Sequence, residues 1–294
     1  MDYFFALLMS GLLSGPVYAI VGLALVVVYR ASAVLNLSLG EWVGLGARLS
    51  GVGAQAAGLP LPAAVAAAAA LLAVLSASFS RLVVRHLLGR PVVAAVMATL
   101  ALAVLMQGAG ALLLRGLPAE IPAPFGYEAW FLFGAPLPPS RIFASGVAVL
   151  LALAVIAFFR FSRVGVALRA VADDAAAAMA AGVDTGACLA IAWAISAALA
   201  VAGGVLWSLD GLGGFGMSLV LAKVLPVAVI GGLASFAGVF VGATAVGLAE
   251  SFAAGYLDPV IGAGSGGLVG AGLVILMLWM RPTGVFGGAR VERV

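Results

Sequence analysis

Seven stretches of this chain run without a charged residue, at 3–29, 49–80, 91–114, 142–159, 185–209, 224–249 and 259–280. Each is near or above the roughly 20 apolar residues that carry a helix through the hydrocarbon of a bilayer. In lipid the backbone has no water to bond, which leaves helices or closed barrels as spanning structures. Barrel strands read as segments of about ten residues that alternate apolar and polar, and these runs do not alternate. The expected fold is all-α, a polytopic transmembrane helix bundle. Composition closes the soluble alternative: charged residues are 9% of the chain, against roughly 25% in soluble domains, too few to cover a water-facing surface.

The first run has no basic leader, only Asp2 ahead of it, and outruns the core of a secretory signal, so it reads as a retained span. Short loops rich in arginine stay on the cytoplasmic side. Arg30; Arg81, Arg85 and Arg90; Arg160, Arg163 and Arg169; and Arg281, Arg290 and Arg293 are ten of the fourteen basic residues. They fall on one side when the N-terminus is placed outside. The other side carries Asp2, Glu120, Glu128, Asp210 and Asp258, with Arg115 and Arg141. This predicts an outer N-terminus and an inner C-terminus. The chain is then outside at both Asp210 and Asp258, so the stretch between them crosses an even number of times. As one helix, residues 219–257 would measure about 58 Å at 1.5 Å per residue, close to two crossings. The turn is expected at Gly231, Gly232, Leu233, Ala234 and Ser235, giving eight or nine spans, one of them short or broken.

Residues 115–140 form the longest outward loop. Pro118, Pro122, Pro124, Pro136, Pro138 and Pro139 favour extended or turn backbone there. Phe125, Tyr127, Trp130, Phe131 and Phe133 suit the membrane interface. Gly262, Gly266 and Gly270 recur every fourth residue, as do Gly238 and Gly242, a spacing that lets helices pack closely.

Catalytic and cofactor chemistry finds little to work with. His86 is the only histidine and Cys188 the only cysteine, which removes the clusters that hold metals. Lys223 is the only lysine and sits in no phosphate-cradling glycine loop, so the chain does not bind ATP by that route. No cofactor and no nucleic-acid partner are expected. Ionisable residues within spans are costly and tend to be functional; here they are Glu41, Arg48, Lys223 and Glu250. Glu41 and Arg48 lie two helical turns apart, on one face but too distant for a tight pair. Lys223 and Glu250 read as reaching an interface from short helices. One function class open at this point is a self-contained proton-coupled carrier, with Glu41 or Glu250 as its proton site.

Residues 160–184 differ from every other connection. Their alanine content favours a helix, Arg169 and Asp173 are spaced for an i,i+4 contact, and Gly182 suits a C-terminal cap. A short cytoplasmic helix between two spans follows, to be read either as a solvated connector or as a helix that docks in a groove on another protein.

Four motifs in order then resemble one family. Gly15-Pro16-Val17-Tyr18-Ala19-Ile20 and Tyr29, with Asn36-Leu37-Ser38-Leu39-Gly40-Glu41, resemble the opening segments of the shorter permease subunit of branched-chain amino-acid ABC importers. Gly165, Arg169, Ala170, Asp173, Asp174, Ala178 and Gly182 resemble its coupling helix. Lys223 with Gly231-Gly232-Leu233-Ala234-Ser235, Gly238 and Gly242 resembles its late glycine-rich segment, and Arg281-Pro282-Thr283-Gly284-Val285-Phe286-Gly287 its terminal motif. Leu39 stands where the family often has histidine, and Leu37 replaces an aromatic residue. The resemblance implies one transmembrane permease domain over residues 1–294, in a bacterial inner membrane and without catalysis of its own. It implies as partners separate ATPase subunits, a second permease and an external substrate-binding protein. Gly165, Arg169, Asp173, Asp174 and Gly182 are the expected ATPase-coupling residues. Asn36, Ser38 and Glu41 are the expected translocation-path residues, for a small-molecule substrate among amino acids, urea and short amides.

Overall fold

Where the chain is apolar it is helical, and the breaks fall where capping residues, glycine or proline stop a helix. The computed structural model describes residues 2–87, 90–122, 125, 129–132, 135–210, 220–262, 264–281 and 284–286. In order, the helices are α1 (Asp2–Ser32), α2 (Leu39–Gln55), α3 (Leu61–Phe79), α4 (Arg85–Leu87), α5 (Val92–Leu113), α6 (Pro139–Phe161), α7 (Arg163–Asp173), α8 (Ala175–Ala180), α9 (Thr185–Leu209), α10 (Val220–Gly231), α11 (Phe236–Tyr256), α12 (Asp258–Ile261) and α13 (Ser265–Met280). A π-helical turn at Ser80–Val84 joins α3 to α4. Among the described residues six helices are long and apolar enough to cross a membrane: α1, α3 with its continuation, α5, α6, α9 and α11. Helices α10 and α13 are apolar but shorter, and α2 has 17 residues.

Helices α1 and α9 form the centre, with α2, α3 and α11 packed around them. Burial of apolar surface gives no drive between helices in lipid, so close packing of small residues must supply it. On α9, Gly203 faces α1, where an added Cβ would lie 2.6 Å from Val21 Cγ2, and Gly204 faces α2, where a Cβ would overlap the Val43 carbonyl oxygen. Two consecutive glycines thus open both sides of one helix. Likewise α11 meets α1 through Gly247, whose Cβ would lie 2.7 Å from the Gly11 carbonyl oxygen. The outer helices α5 and α6 leave apolar side chains such as Val104, Leu112, Leu150 and Leu153 exposed.

The expected turn between α10 and α11 is present: α10 ends at Gly231, Gly232 takes φ +95°, and the Ser235 hydroxyl accepts the Gly238 N–H at 3.0 Å. Residues 284–286 dock on this corner, the Val285 N–H donating to the Ile230 carbonyl at 2.9 Å. The rest of the terminal motif, Pro282, Thr283 and Gly287, lies outside the described residues, as do Arg290 and Arg293. Two expectations change. The uncharged run 49–80 is not one span, because Gly58 at φ +65° and Pro60 at the α3 N-cap end α2 and restart the chain. Gly262 is not a packing residue but a turn at φ +98°. In the 115–140 loop the chain forms a short antiparallel ribbon, β1 (Trp130–Leu132) with β2 (Ala135–Leu137). Trp130 and Phe131 are exposed and Phe125 sits edge-on to Phe143; Pro124, Tyr127, Glu128 and Phe133 lie outside the described residues.

Candidate functional site

At the end of the bundle where Arg30, Arg85 and Arg160 gather, the 160–184 segment folds as two helices rather than the single one expected. Asp174 is the reason. Its backbone is extended at φ −154°, and its carboxylate accepts the Ala176 and Ala177 N–H groups, each at 2.9 Å, an N-cap that starts α8 afresh. Upstream, the Ser162 hydroxyl accepts the Gly165 N–H at 2.8 Å and caps α7. Gly165 lets α7 fold back onto α6, since a Cβ there would come 2.6 Å from Phe159 Cα. Downstream, Gly182 at φ +85° closes α8, with the Val183 N–H donating to the Ala178 carbonyl at 3.0 Å, a C-cap geometry that glycine favours.

Helix α7 buries Gly165, Leu168 and Val171 and turns its other face outward. Arg169 does not reach Asp173 as its spacing suggested; its Nη2 donates to the Arg160 carbonyl at 3.3 Å. Asp173 is instead approached by Arg30 of α1, at 3.8 Å and largely in solvent. The same Arg30 guanidinium lies 5.1 Å from the ring centre of Phe236, the first residue of α11, and Phe236 packs on Phe159 at 4.8 Å. A shallow cleft lined by Val27, Arg30, Phe159, Leu168, Arg169 and Phe236 marks this root. The outward face combines exposed Val164, Val166 and Met179 with Asp173 and Asp174.

The three expected path residues sit at the break between α1 and α2. Asn36 and Ser38 are buried and bonded to each other: Asn36 Oδ1 accepts the Ser38 N–H at 3.1 Å and its hydroxyl at 2.6 Å, and Trp42 Nε1 donates to Ser38 Oγ at 3.0 Å. Ala33, at φ 53°, is a non-glycine residue in the left-handed region and helps to end α1. Glu41 is half-buried in the first turn of α2. The structure brings Asn36 and Ser38 into contact and leaves the Glu41 side chain, half-buried, without a hydrogen-bond partner among the described residues.

The in-span charges organise differently from the expectation. Lys223 and Glu250 do not run separately to interfaces; Lys223 Nζ meets Glu250 Oε2 at 3.0 Å, and the Tyr18 hydroxyl donates to the same oxygen at 2.7 Å. Tyr18 stacks on Trp207 with ring centres 4.8 Å apart. The glycines Gly266 and Gly270 of α13 face Glu250, so their spacing makes room for a carboxylate. A second cluster joins residues that the sequence assigned to outer loops. The Asp210 side chain is fully buried and pairs with Arg141 Nε at 2.7 Å. Ser14 Oγ donates to Asp210 Oδ2 at 3.1 Å, and Arg141 Nη1 to Ser10 Oγ at 2.6 Å. Ser10, Ser14 and Tyr18 recur every fourth residue, which aligns them along one face of α1. That spacing is the signal by which the sequence alone could have located this column. Among the described residues no group of three His, Cys, Asp or Glu side chains is arranged to hold a metal.

Residues 7–279 match the family model described as branched-chain amino acid transport system, permease component. The chain is 27% identical over 301 residues to the high-affinity branched-chain amino acid transport system permease protein BraD of Pseudomonas aeruginosa, covering 98% of this chain and 97% of that one. It is 26% identical over 310 residues to the corresponding protein LivH of Escherichia coli K12, covering 99% and 98%. Among solved structures it resembles PsaBC from Streptococcus pneumoniae in complex with Fab, with a TM-score of 0.54 over 94% of this chain and 92% of that one. At 16% identity that likeness is one of fold.

Proposed function

The chain belongs to the branched-chain amino acid transport permease family, and from that premise we propose that it is the membrane-spanning subunit of an ATP-driven importer. It carries branched-chain amino acids or related small polar substrates across a bacterial inner membrane. ATP is bound and hydrolysed by separate subunits, a second permease completes the pathway, and an external protein delivers the substrate. The chain performs no chemistry itself. Its N-terminus lies outside and its C-terminus inside, with crossings by α1, α2, α3, α5, α6, α9, α10, α11 and α13. The clustering of arginines at one end of the bundle supports this orientation.

The observation that carries the reading is the α7–α8 segment. It stands at the basic end, turns a mixed apolar and acidic face outward, and is joined by Arg30 and Phe236 to α1 and α11. Closure of ATPase subunits against Asp173 and Asp174 would push on the bundle through that link. Gly165, Gly182 and the Asp174 cap hold the shape; Arg169 fastens α7 to the end of α6. Two arrangements of the spans, with populations set by nucleotide, then give alternating access. Along the path, Asn36 and Ser38 shape the wall and Glu41 meets the aqueous space.

Charge reversal tests the coupling. In proteoliposomes with all subunits, Arg169→Glu with Asp173→Arg is expected to cut uptake at least tenfold while ATP hydrolysis continues. Unchanged coupled uptake would remove the segment from this role. Transport by the purified chain alone under a pH gradient would favour the carrier reading instead.

A further inference from the structure

Arg48 lies midway along α2, about 13 Å from its first residue at 1.5 Å per residue, and is half-buried. The helix runs from the α1–α2 break to the opposite end of the bundle, where Gln55 Nε2 donates to the Glu120 carbonyl at 2.6 Å. Neither Arg48 nor Glu41 has a hydrogen-bond or ion-pair partner among the described residues. Lys223 and Arg141, which also reach between the spans, are both paired. The neighbour of Arg48 on α5 is Gly110, where a Cβ would lie 3.8 Å from Arg48 Nη1.

An unpaired guanidinium partway through a bilayer cannot rest against lipid; it must meet water or an anion. Its planar fork matches a carboxylate through two parallel hydrogen bonds. Once the two ion pairs are set aside, the in-span charges without a partner among the described residues are one cation and one anion, Arg48 and Glu41, the complement of a zwitterion. They are about 10 Å apart along α2, too far for the charged groups of one small amino acid to occupy together. We infer that Arg48 binds the carboxylate of the transported amino acid in mid-membrane, and that Glu41 receives its ammonium at a later station toward the basic end. This rests on the permease reading above.

The test uses the nucleotide-free assembly of permeases and ATPases in nanodiscs, without the binding protein, and follows leucine and leucinamide by saturation-transfer NMR. Wild type is expected to bind leucine at least tenfold more tightly than leucinamide. Arg48→Gln should erase that preference, and Arg48→Lys should retain part of it, which guards against a variant that fails to fold. A preference that survives Arg48→Gln overturns the inference. So does loss of the second permease from Arg48→Gln preparations with leucine binding intact, since the partner of Arg48 would then be a carboxylate of that subunit. ATP-driven leucine uptake by wild type separates the two levels: present uptake with an indifferent Arg48 sinks this inference alone, and absent uptake of any amino acid sinks the permease reading with it.

Discussion

Two sets of charges inside this bundle are treated in opposite ways. Arg141–Asp210 and Lys223–Glu250 are paired, hydrogen-bonded to serine or tyrosine of α1, and drawn into the space between helices. Glu41 and Arg48, on one face of α2, are half-buried and left without partners among the described residues. All six acids and bases incur a desolvation cost on leaving water, so the difference lies in what each meets. A paired charge ties helices together. An unpaired one requires water or a ligand.

The comparison can be broken most forcefully at Asp210. Asp210→Ala leaves the Arg141 guanidinium uncompensated and is expected to cost about 3–5 kcal/mol, the usual penalty for half of a buried pair, seen as a lower unfolding midpoint in detergent and a reduced folded yield. Glu250→Ala should cost less, about 2 kcal/mol, because the Lys223 side chain is 35% exposed and water compensates part of the loss. Replacing both members, Lys223→Met with Glu250→Met, should recover most of that stability, and a double-mutant cycle gives the coupling; failure to recover would mean that the pair does more than tie α10 to α11. At the small end, Glu41→Ala should change stability by less than about 0.5 kcal/mol, as expected of a side chain with no partner, yet reduce ATP-driven uptake severalfold. A stable variant with normal uptake would return Glu41 to the ordinary surface.

How far the sequence could be read follows the same division. Caps and breaks were legible because they are local: Gly182 as a C-cap and the turn at residues 231–235 follow from glycine and serine in place. The split of the 160–184 segment was not, since alanine on both sides favours a continuous helix and only the aspartate cap at 174 interrupts it. The Arg169–Asp173 spacing fitted an i,i+4 contact, but the backbone carbonyl of Arg160 and the approach of Arg30 compete for the two side chains. Arg141 and Asp210 looked like loop charges because each borders an apolar run; in the fold α6 and α9 bring them together across 69 residues.

The sequence by itself determined that the chain is a bundle of membrane-crossing helices, and it led to the expectation of a helical segment at 160–184 and of basic residues gathered at one end. Those follow from the need to satisfy the backbone in lipid and from charge placement along the chain. Only the tertiary structure decided which in-span charges are consumed as ties and which remain unpaired. Helical periodicity reveals the face on which a side chain lies, but the identity of the helix opposite depends on packing between segments far apart in the chain, as in the bond from Tyr18 to Glu250 across 232 residues.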